Sequence, residues 1–420
     1  MQPAYSDLFR VFGRIGLLSF GGPAAQIALM HTELVDRHKW LREDQFLGAL
    51  SFCMLLPGPE AMQLATYAGW RLRGTLGGLI AGGLFVVPGA LIILGLSMGY
   101  AAYGQVPVIQ SLFLGIKATV VVIVLRALLS LSRRALKGWD SWALAGLGFI
   151  AMFFLSVPFP AIIVTAALWG FITQHAASKA EHQERPVLCY FKTIKTISIW
   201  LAIWAVPIVT AWAMGATFLT DIALFFSKLA IVTFGGAYAV LAYMTQAVVG
   251  TYGWLTTPEM IDALGLAETT PGPLILVTQF VSHIAGYHAG GISLALSAGL
   301  MTLWVTFVPC FLWIFAGAPY VETLLARPRL KGALAAISAA VVGVILNLSV
   351  WFALHVVFGD IQSGRFGPLP TMSSFSILSA IFIVVASVLH LYFRLSMIST
   401  LIAMASLAGA LHVAIQTPLV

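Results

Sequence analysis

Along the 420 residues, apolar stretches of about 20 positions alternate with short polar loops from one end to the other, and about 20 apolar residues is what a helix needs to cross a bilayer. Thirteen such segments can be drawn, six in each half of the chain and a connector from about Thr196 to Met214. The longest polar loop, Gln174 to Lys195, is the one clear linker. In each half the first two segments are interrupted near the middle. The interruptions are Gly21-Gly22 and Pro57-Gly58-Pro59, then Gly235-Gly236 and Pro271-Gly272-Pro273. Glycine has no Cβ and proline no N–H, so both break helices. Broken backbone at membrane depth survives only where protein buries it or where it lines a wet cavity. The pattern predicts an all-α polytopic membrane protein with broken or re-entrant helices at the Gly-Gly and Pro-Gly-Pro motifs.

The pattern also occurs twice. Ser6 to Gly22 (SDLFRVFGRIGLLSFGG) returns as Thr220 to Gly236 (TDIALFFSKLAIVTFGG). The register that lays Ser6 on Thr220 also lays Trp40-Leu41 on Trp254-Leu255 and the first Pro-Gly-Pro on the second. Residues 1–174 therefore read as one repeat, 175–218 as a cytoplasmic linker plus connecting helix, and 219–420 as the second repeat. Charge distinguishes the copies. The loop His31 to Gln45 is rich in Lys and Arg, whereas its counterpart Thr245 to Glu259 has none. Conversely, Arg327, Arg329 and Lys331 correspond to Gly104 to Gln110, which carries no base. If both broken segments of each repeat enter and leave by one face, the loop bases, from Arg37 and Arg71 to Lys179, Arg185 and Lys195, fall on the cytoplasmic side. Arg365 alone falls outside, whereas thirteen full spans would also invert the repeats but would put Arg133, Arg134 and Lys137 outside. That asymmetry is what the positive-inside rule requires of two repeats inserted in opposite orientations, with the N-terminus cytoplasmic and the C-terminus periplasmic. Inverted repeats with discontinuous helices are the build of secondary transporters, whose site lies where the repeats meet.

Composition narrows the function. The chain is 60% hydrophobic and 9% charged, with a mean hydropathy of +0.97, against about 25% charged residues in soluble domains. Its net charge of +7 resides in short loops between apolar segments, so it reports topology and not nucleic-acid binding. The bilayer itself is the expected partner, and the pattern leaves a homodimer open. Cys53, Cys189 and Cys310 form no CxxC pair, and no GxxxxGK[ST] phosphate loop or nucleophile–base motif occurs. His31 and His38 lack metal-ligand spacing. No enzyme activity, metal or cofactor is expected.

The four breaks supply the candidate site. A helix restarting after each break would aim free N–H groups and its positive dipole end into the cavity, an anion site. Pro59 and Pro273 are expected at the first helical positions, and Asp7 and Asp221 as caps. The predicted substrate-binding set comprises Ser19, Gly21, Gly22, Pro23 and Gln26 at the first break and Pro57, Gly58, Pro59 and Gln63 at the second. Thr233, Gly235 and Gly236 follow at the third, and Thr270, Pro271, Gly272, Pro273 and Gln279 at the fourth. Thr66, Thr269 and Thr278 are second-rank donors. Three bases lie inside apolar segments, where a charge is costly and needs a reason. Arg14 and Lys228 are repeat equivalents, and Lys117 sits at the centre of a span read as Val108 to Arg126. Glu60 and Glu268, beside the Pro-Gly-Pro motifs, are candidates for proton coupling.

The runs FGGPAAQIALM (Phe20 to Met30) and LPGPEAMQLATYAGW (Leu56 to Trp70), with FGGAYAVLAYM and ETTPGPLILVTQF in the second half, resemble the chromate ion transporter family in its long two-domain form. The resemblance covers nearly the whole chain. It implies antiparallel homologous halves and an inner-membrane protein of bacterial type that exports chromate from the cytoplasm and confers chromate resistance. Residues alone say only inverted-repeat anion transporter, for which alternating access is the expected mechanism. The cargo comes from the resemblance, with sulfate or another oxyanion as the alternative and an anion channel or membrane-embedded enzyme less favoured. Ala237 stands where the first Gly-Gly is followed by Pro23, so the two half-sites should differ.

Overall fold

A computed structural model of the chain describes residues 3–173, 190–234, 237–321, 324, 327–364 and 367–416. Gly235 and Gly236, Lys179, Arg185 and Arg365, and most of the predicted linker lie outside the described residues. The first half holds α1 (Tyr5–Leu18), α2 (Gly22–His31), α3 (Glu43–Cys53), α4 (Glu60–Tyr103), α5 (Pro107–Ala135), α6 (Trp139–Phe153) and α7 (Phe159–Thr173). The connector is α8 (Tyr190–Ala213). The second half brings α9 (Thr217–Val232), α10 (Ala237–Thr245), α11 (Thr257–Glu268), α12 (Val277–Gly317) and α13 (Pro328–Val357). An antiparallel β-hairpin follows, β1 (Ile361–Gly364) and β2 (Gly367–Pro370), and then α14 (Ile377–Ser387) and α15 (Met397–Gln416). The protein is nearly all helix, and among the described residues six helices are long and apolar enough to cross a membrane.

The helices that lead into the first two breaks are not among those six. Helix α1 has 14 residues and α3 has 11, so at about 1.5 Å per residue each reaches only partway through a hydrocarbon core of about 30 Å. The chain folds back after the first break, since Arg14 on α1 meets Glu33 beyond α2 at 3.7 Å. Two of the long helices are themselves bent double. In α4 the bend is at Arg73 and Gly74 (φ +63°, ψ −158°), and a Cβ on Gly69 would collide with the Gly77 carbonyl. Along one straight helix those two positions would stand about 12 Å apart. In α12 the bend is at Gly290 and Gly291 (φ +74°, ψ −163°), and Gly286 lies against Ala295.

The duplication extends to backbone detail. Single π-helical turns, a rare element, occupy Thr32–Arg37 and Gln246–Thr251, which coincide in the register that lays Ser6 on Thr220. Trp40 N–H donates to Leu34 O at 2.8 Å and Trp254 N–H to Val248 O at 2.9 Å. Past the second Pro-Gly-Pro the register slips. Helix α4 starts at Glu60, whose counterpart would be Leu274, but α12 starts at Val277. The three intervening residues form the 3-10 turn Leu274–Leu276.

Some local expectations change. Pro59 precedes α4 and is not its first residue, and Pro273 precedes the 3-10 turn. Asp7 accepts the Ala4 N–H at 3.2 Å, but α9 begins at Thr217, which puts Asp221 in its second turn. Helix α5 runs on past Arg126 to Ala135.

Two compact units emerge, and each draws on both halves of the chain. The first comprises Met1–Leu94, Val164–Val240 and Thr270–Ile337. Within it α12 packs against α8 and α9, and Gly16 brings α1 onto the backbone of Leu84. The second comprises Gly95–Ile163, Leu241–Thr269 and Ser338–Val420. There α5 packs against α11, α14 and α15 around Ala118, Val122, Phe382, Ala386 and Met404. Gly115 lies on the Met404 backbone and Gly343 on that of Ala145, the small-residue contacts that let membrane helices approach closely.

Candidate functional site

The described residues at the breaks lie in the first unit, and they hold one another reciprocally. The Gly272 N–H donates to Ser19 O at 2.9 Å, and the Gly58 N–H donates to Thr233 O at 2.8 Å. Each repeat's Pro-Gly-Pro glycine thus binds the carbonyl that precedes the other repeat's Gly-Gly. Contacts that exchange in this way are what a two-fold relation between the repeats produces. Ser19 and Thr233 are buried, and their hydroxyls donate to Ile15 O (2.5 Å) and Leu229 O (2.6 Å) of their own helices.

The glutamines latch this knot. Gln26 Nε2 donates to Gly272 O at 2.7 Å and to Ser19 O at 3.2 Å, bridging the first break to the fourth. Gln63 Nε2 donates to Pro57 O at 2.7 Å, and Gln279 Nε2 to Ala90 O at 3.1 Å. The second acceptor sites are left over: Oε1 of Gln63 and of Gln279 are buried without a partner. Helix α2 starts immediately after Gly21 (φ +88°), carries Pro23 in its first turn and has no side-chain cap. Its first N–H groups and positive dipole end are therefore open to an anion. Thr270 and Thr278 are buried, and Thr278 donates to Ile275 O.

The predicted bases are placed differently from one another. Arg14 and Lys228 lie on exposed faces of α1 and α9. Arg14 shares the buried Glu33 carboxylate with Arg37 (3.1 Å) and His38 (3.6 Å). Beside them, His31 Nε2–H donates to the Glu43 carboxylate at 2.7 Å, which raises the pKa of His31. Glu60 opens α4, and Glu268 is buried at the end of α11.

Lys117 belongs to the second unit and has a partner that sequence reasoning missed. Its Nζ lies 3.0 Å from Asp262 Oδ1, with the carboxylate side chain only 8% exposed. The Tyr100 hydroxyl donates to the other carboxylate oxygen at 2.8 Å. Asp262 neutralises the lysine and Tyr100 satisfies the remaining acceptor, which is how a buried pair escapes most of its desolvation cost. Further along α5, Arg126 Nη1 donates to His390 Nε2 at 2.6 Å. The repeat register lays Asp262 on Gly48, so the duplicated pattern contains no echo of it.

The sequence model of the chromate transporter family matches residues 6–171 and 220–410. A chromate transport protein of Pseudomonas aeruginosa is 30% identical over 352 residues, 81% of this chain and 79% of the relative. One from Cupriavidus metallidurans is 30% identical over 363 residues, 84% of each chain. The uncharacterized transporter YwrA of Bacillus subtilis is 34% identical over 166 residues, which is 39% of this chain but 93% of the relative. No solved structure matches the chain.

Proposed function

Because this chain belongs to the chromate transporter family, a family of multi-pass membrane transporters and not of enzymes, we propose that it exports chromate across the bacterial inner membrane by alternating access. The observation that supports this most is the reciprocal knot of four breaks, since it brings discontinuous helix ends of both repeats into one compact unit. A tetrahedral dianion would be held at the uncapped start of α2 and its counterparts, where N–H groups and helix dipoles favour negative charge. Opening and closing would exchange the Gly272–Ser19 and Gly58–Thr233 bonds, each worth only about 0.5–1.5 kcal/mol net. Lys117, with Asp262 as its partner, remains a candidate base for the anion's charge. Glu60 and Glu268 are the proton-coupling candidates.

Electrostatics favour export. A charge crossing a membrane gains about 2.3 kcal/mol per 100 mV, so a dianion leaving a negative-inside cell gains about 4.6 kcal/mol. That corresponds to roughly three decades of gradient without ATP. Uniport, or exchange for a less charged anion, therefore suffices. In everted membrane vesicles containing the protein, labelled chromate should accumulate above the level of empty vesicles, and excess sulfate, of the same shape and charge, should compete. Uptake equal to that of empty vesicles, with the protein verified in the membrane, would overturn the assignment.

A further inference from the structure

The two bent helices α4 and α12 occupy equivalent places in the two repeats, the start of one at Glu60 answering the start of the other at Val277. Their interiors nevertheless differ in chemistry. In α12 the arms run antiparallel, with Gly286 against Ala295 and His283 against Gly299: an ideal Cβ on Gly299 would stand 3.5 Å from His283 Nδ1 and 3.7 Å from Gln279 Cγ. Thr302 and Thr306 lie three and seven positions beyond Gly299, on the same helical face. Four polar side chains thus form a column between the arms, at exposures of 0% for Thr302, 1% for His283, 3% for Gln279 and 4% for Thr306.

Each of the four keeps a polar atom without a partner: His283 Nδ1, Gln279 Oε1, and the hydroxyls of Thr302 and Thr306. Ser227 and Thr245 are the other buried hydroxyls without a partner among the described residues, each apart from such a cluster in sequence. Thr66, Thr119, Thr233 and Thr278 all donate to a carbonyl of the preceding turn. A hydroxyl that forgoes that bond in a dry interior carries a desolvation cost that only a ligand or water can offset. With the two helix starts aligned, the equivalent positions of α4 are Met62, Thr66, Phe85 and Gly89. They are apolar or satisfied: Thr66 Oγ1 donates to Met62 O, and Gly89 packs on the Pro271 backbone.

We propose that the column inside α12 is an oxyanion-binding subsite, in which the Thr302 and Thr306 hydroxyls and the His283 imidazole N–H donate to the oxygens of a tetrahedral anion. Gln279 Oε1 accepts from a bound water or from a proton the anion carries. The subsite is neutral, so it fixes the shape and hydrogen-bonding of the cargo and leaves its charge to helix ends and bases. It rests on the reading of the protein as an oxyanion transporter, and it makes the second repeat the one that selects.

The test uses the full-length protein in lipid nanodiscs and proteoliposomes, with chromate and sulfate as probes. The double variant T302V/T306V should raise the chromate KM on the order of tenfold to a hundredfold, the loss expected for hydroxyl bonds to a charged group. Its ligand-free melting temperature should be unchanged or higher, because an isosteric apolar group replaces an unsatisfied one. T302S/T306S should restore the wild-type KM, and H283T, which installs the residue found at the first-repeat position, should also weaken binding. The wild type should melt at a higher temperature when chromate or sulfate is added, and T302V/T306V should lose that shift. A double variant with wild-type KM and an intact ligand-induced shift overturns the subsite. So does one whose only defect is lower ligand-free stability, which would make the column a water-filled structural feature. If the double variant does not fold, the single variants T302V and T306V give the same two readouts. Absence of any oxyanion transport by the wild type would instead overturn the functional reading, while the ligand-induced shift would still report on the subsite.

Discussion

The two bent helices share a backbone and differ in content. Helix α4 turns at Gly74 and α12 at Gly291, both in a region of φ and ψ that only glycine adopts readily, and both close their arms on glycine contacts at Gly69 and Gly286. Inside, α4 is sealed by Phe85, Met62 and the close approach of Gly89 to Pro271, whereas α12 encloses four unsatisfied polar groups. Duplication therefore preserved the geometry that lets helices break and fold back, and left each copy free to acquire its own chemistry. A transporter needs both: matching hinges so that the halves can exchange conformation, and a site that need not be symmetric.

The largest expected effect lies outside both bent helices and sets the background against which they are compared. Lys117→Ala should destabilise the protein by about 3–5 kcal/mol, because it leaves Asp262 buried without its counter-charge. The combined K117M/D262N should recover most of the melting temperature. If K117M/D262N folds and transports normally, Lys117 has no role with the anion. If it folds and does not transport, the lysine acts on cargo and not only on packing.

The asymmetry itself can be broken from either side. Gly89→Ala places a Cβ onto the Pro271 carbonyl and should cost about 1–3 kcal/mol through overpacking, read as a fall in melting temperature. Its repeat equivalent, Thr306→Val, should leave the melting temperature unchanged or raised and lower transport instead. Equal stability losses at the two positions would mean that α12 is packed as tightly as α4.

The shared geometry predicts the smallest difference. Gly74→Ala and Gly291→Ala meet no atom within 4 Å, so each should lose only the backbone strain, about 1–3 kcal/mol, and by similar amounts. A large loss at one turn alone would show that the two bends are not equivalent hinges.

Much of the fold and part of the site were legible in the sequence, for identifiable reasons. Breaks announce themselves because glycine and proline are the residues that interrupt helices, and the single register laying Ser6 on Thr220 marked all four. The 3-10 turn at Leu274–Leu276 was not legible, so the slip in register beyond it was missed. Asp262 and His390 were missed because their partners, Lys117 and Arg126, lie far away in the chain, and no repeat echo or motif joins either pair. Helix α5 runs on past Arg126 because a base with a buried partner need not end a helix. Thr302 and Thr306 look like ordinary membrane-helix hydroxyls in sequence, and only their unpartnered state beside the equally unpartnered His283 and Gln279 sets them apart. Ser19, Thr233 and the glutamines were identified at the breaks, but the structure engages their donors with backbone carbonyls.

Export of a dianion driven by membrane potential is tested most directly by labelled-chromate accumulation in everted vesicles at several imposed inside-positive potentials. With two charges moved per anion, the equilibrium accumulation ratio should rise by roughly three decades per 100 mV. Accumulation that ignores the potential, or that appears only with a counter-anion loaded inside at equal charge, would contradict electrogenic export.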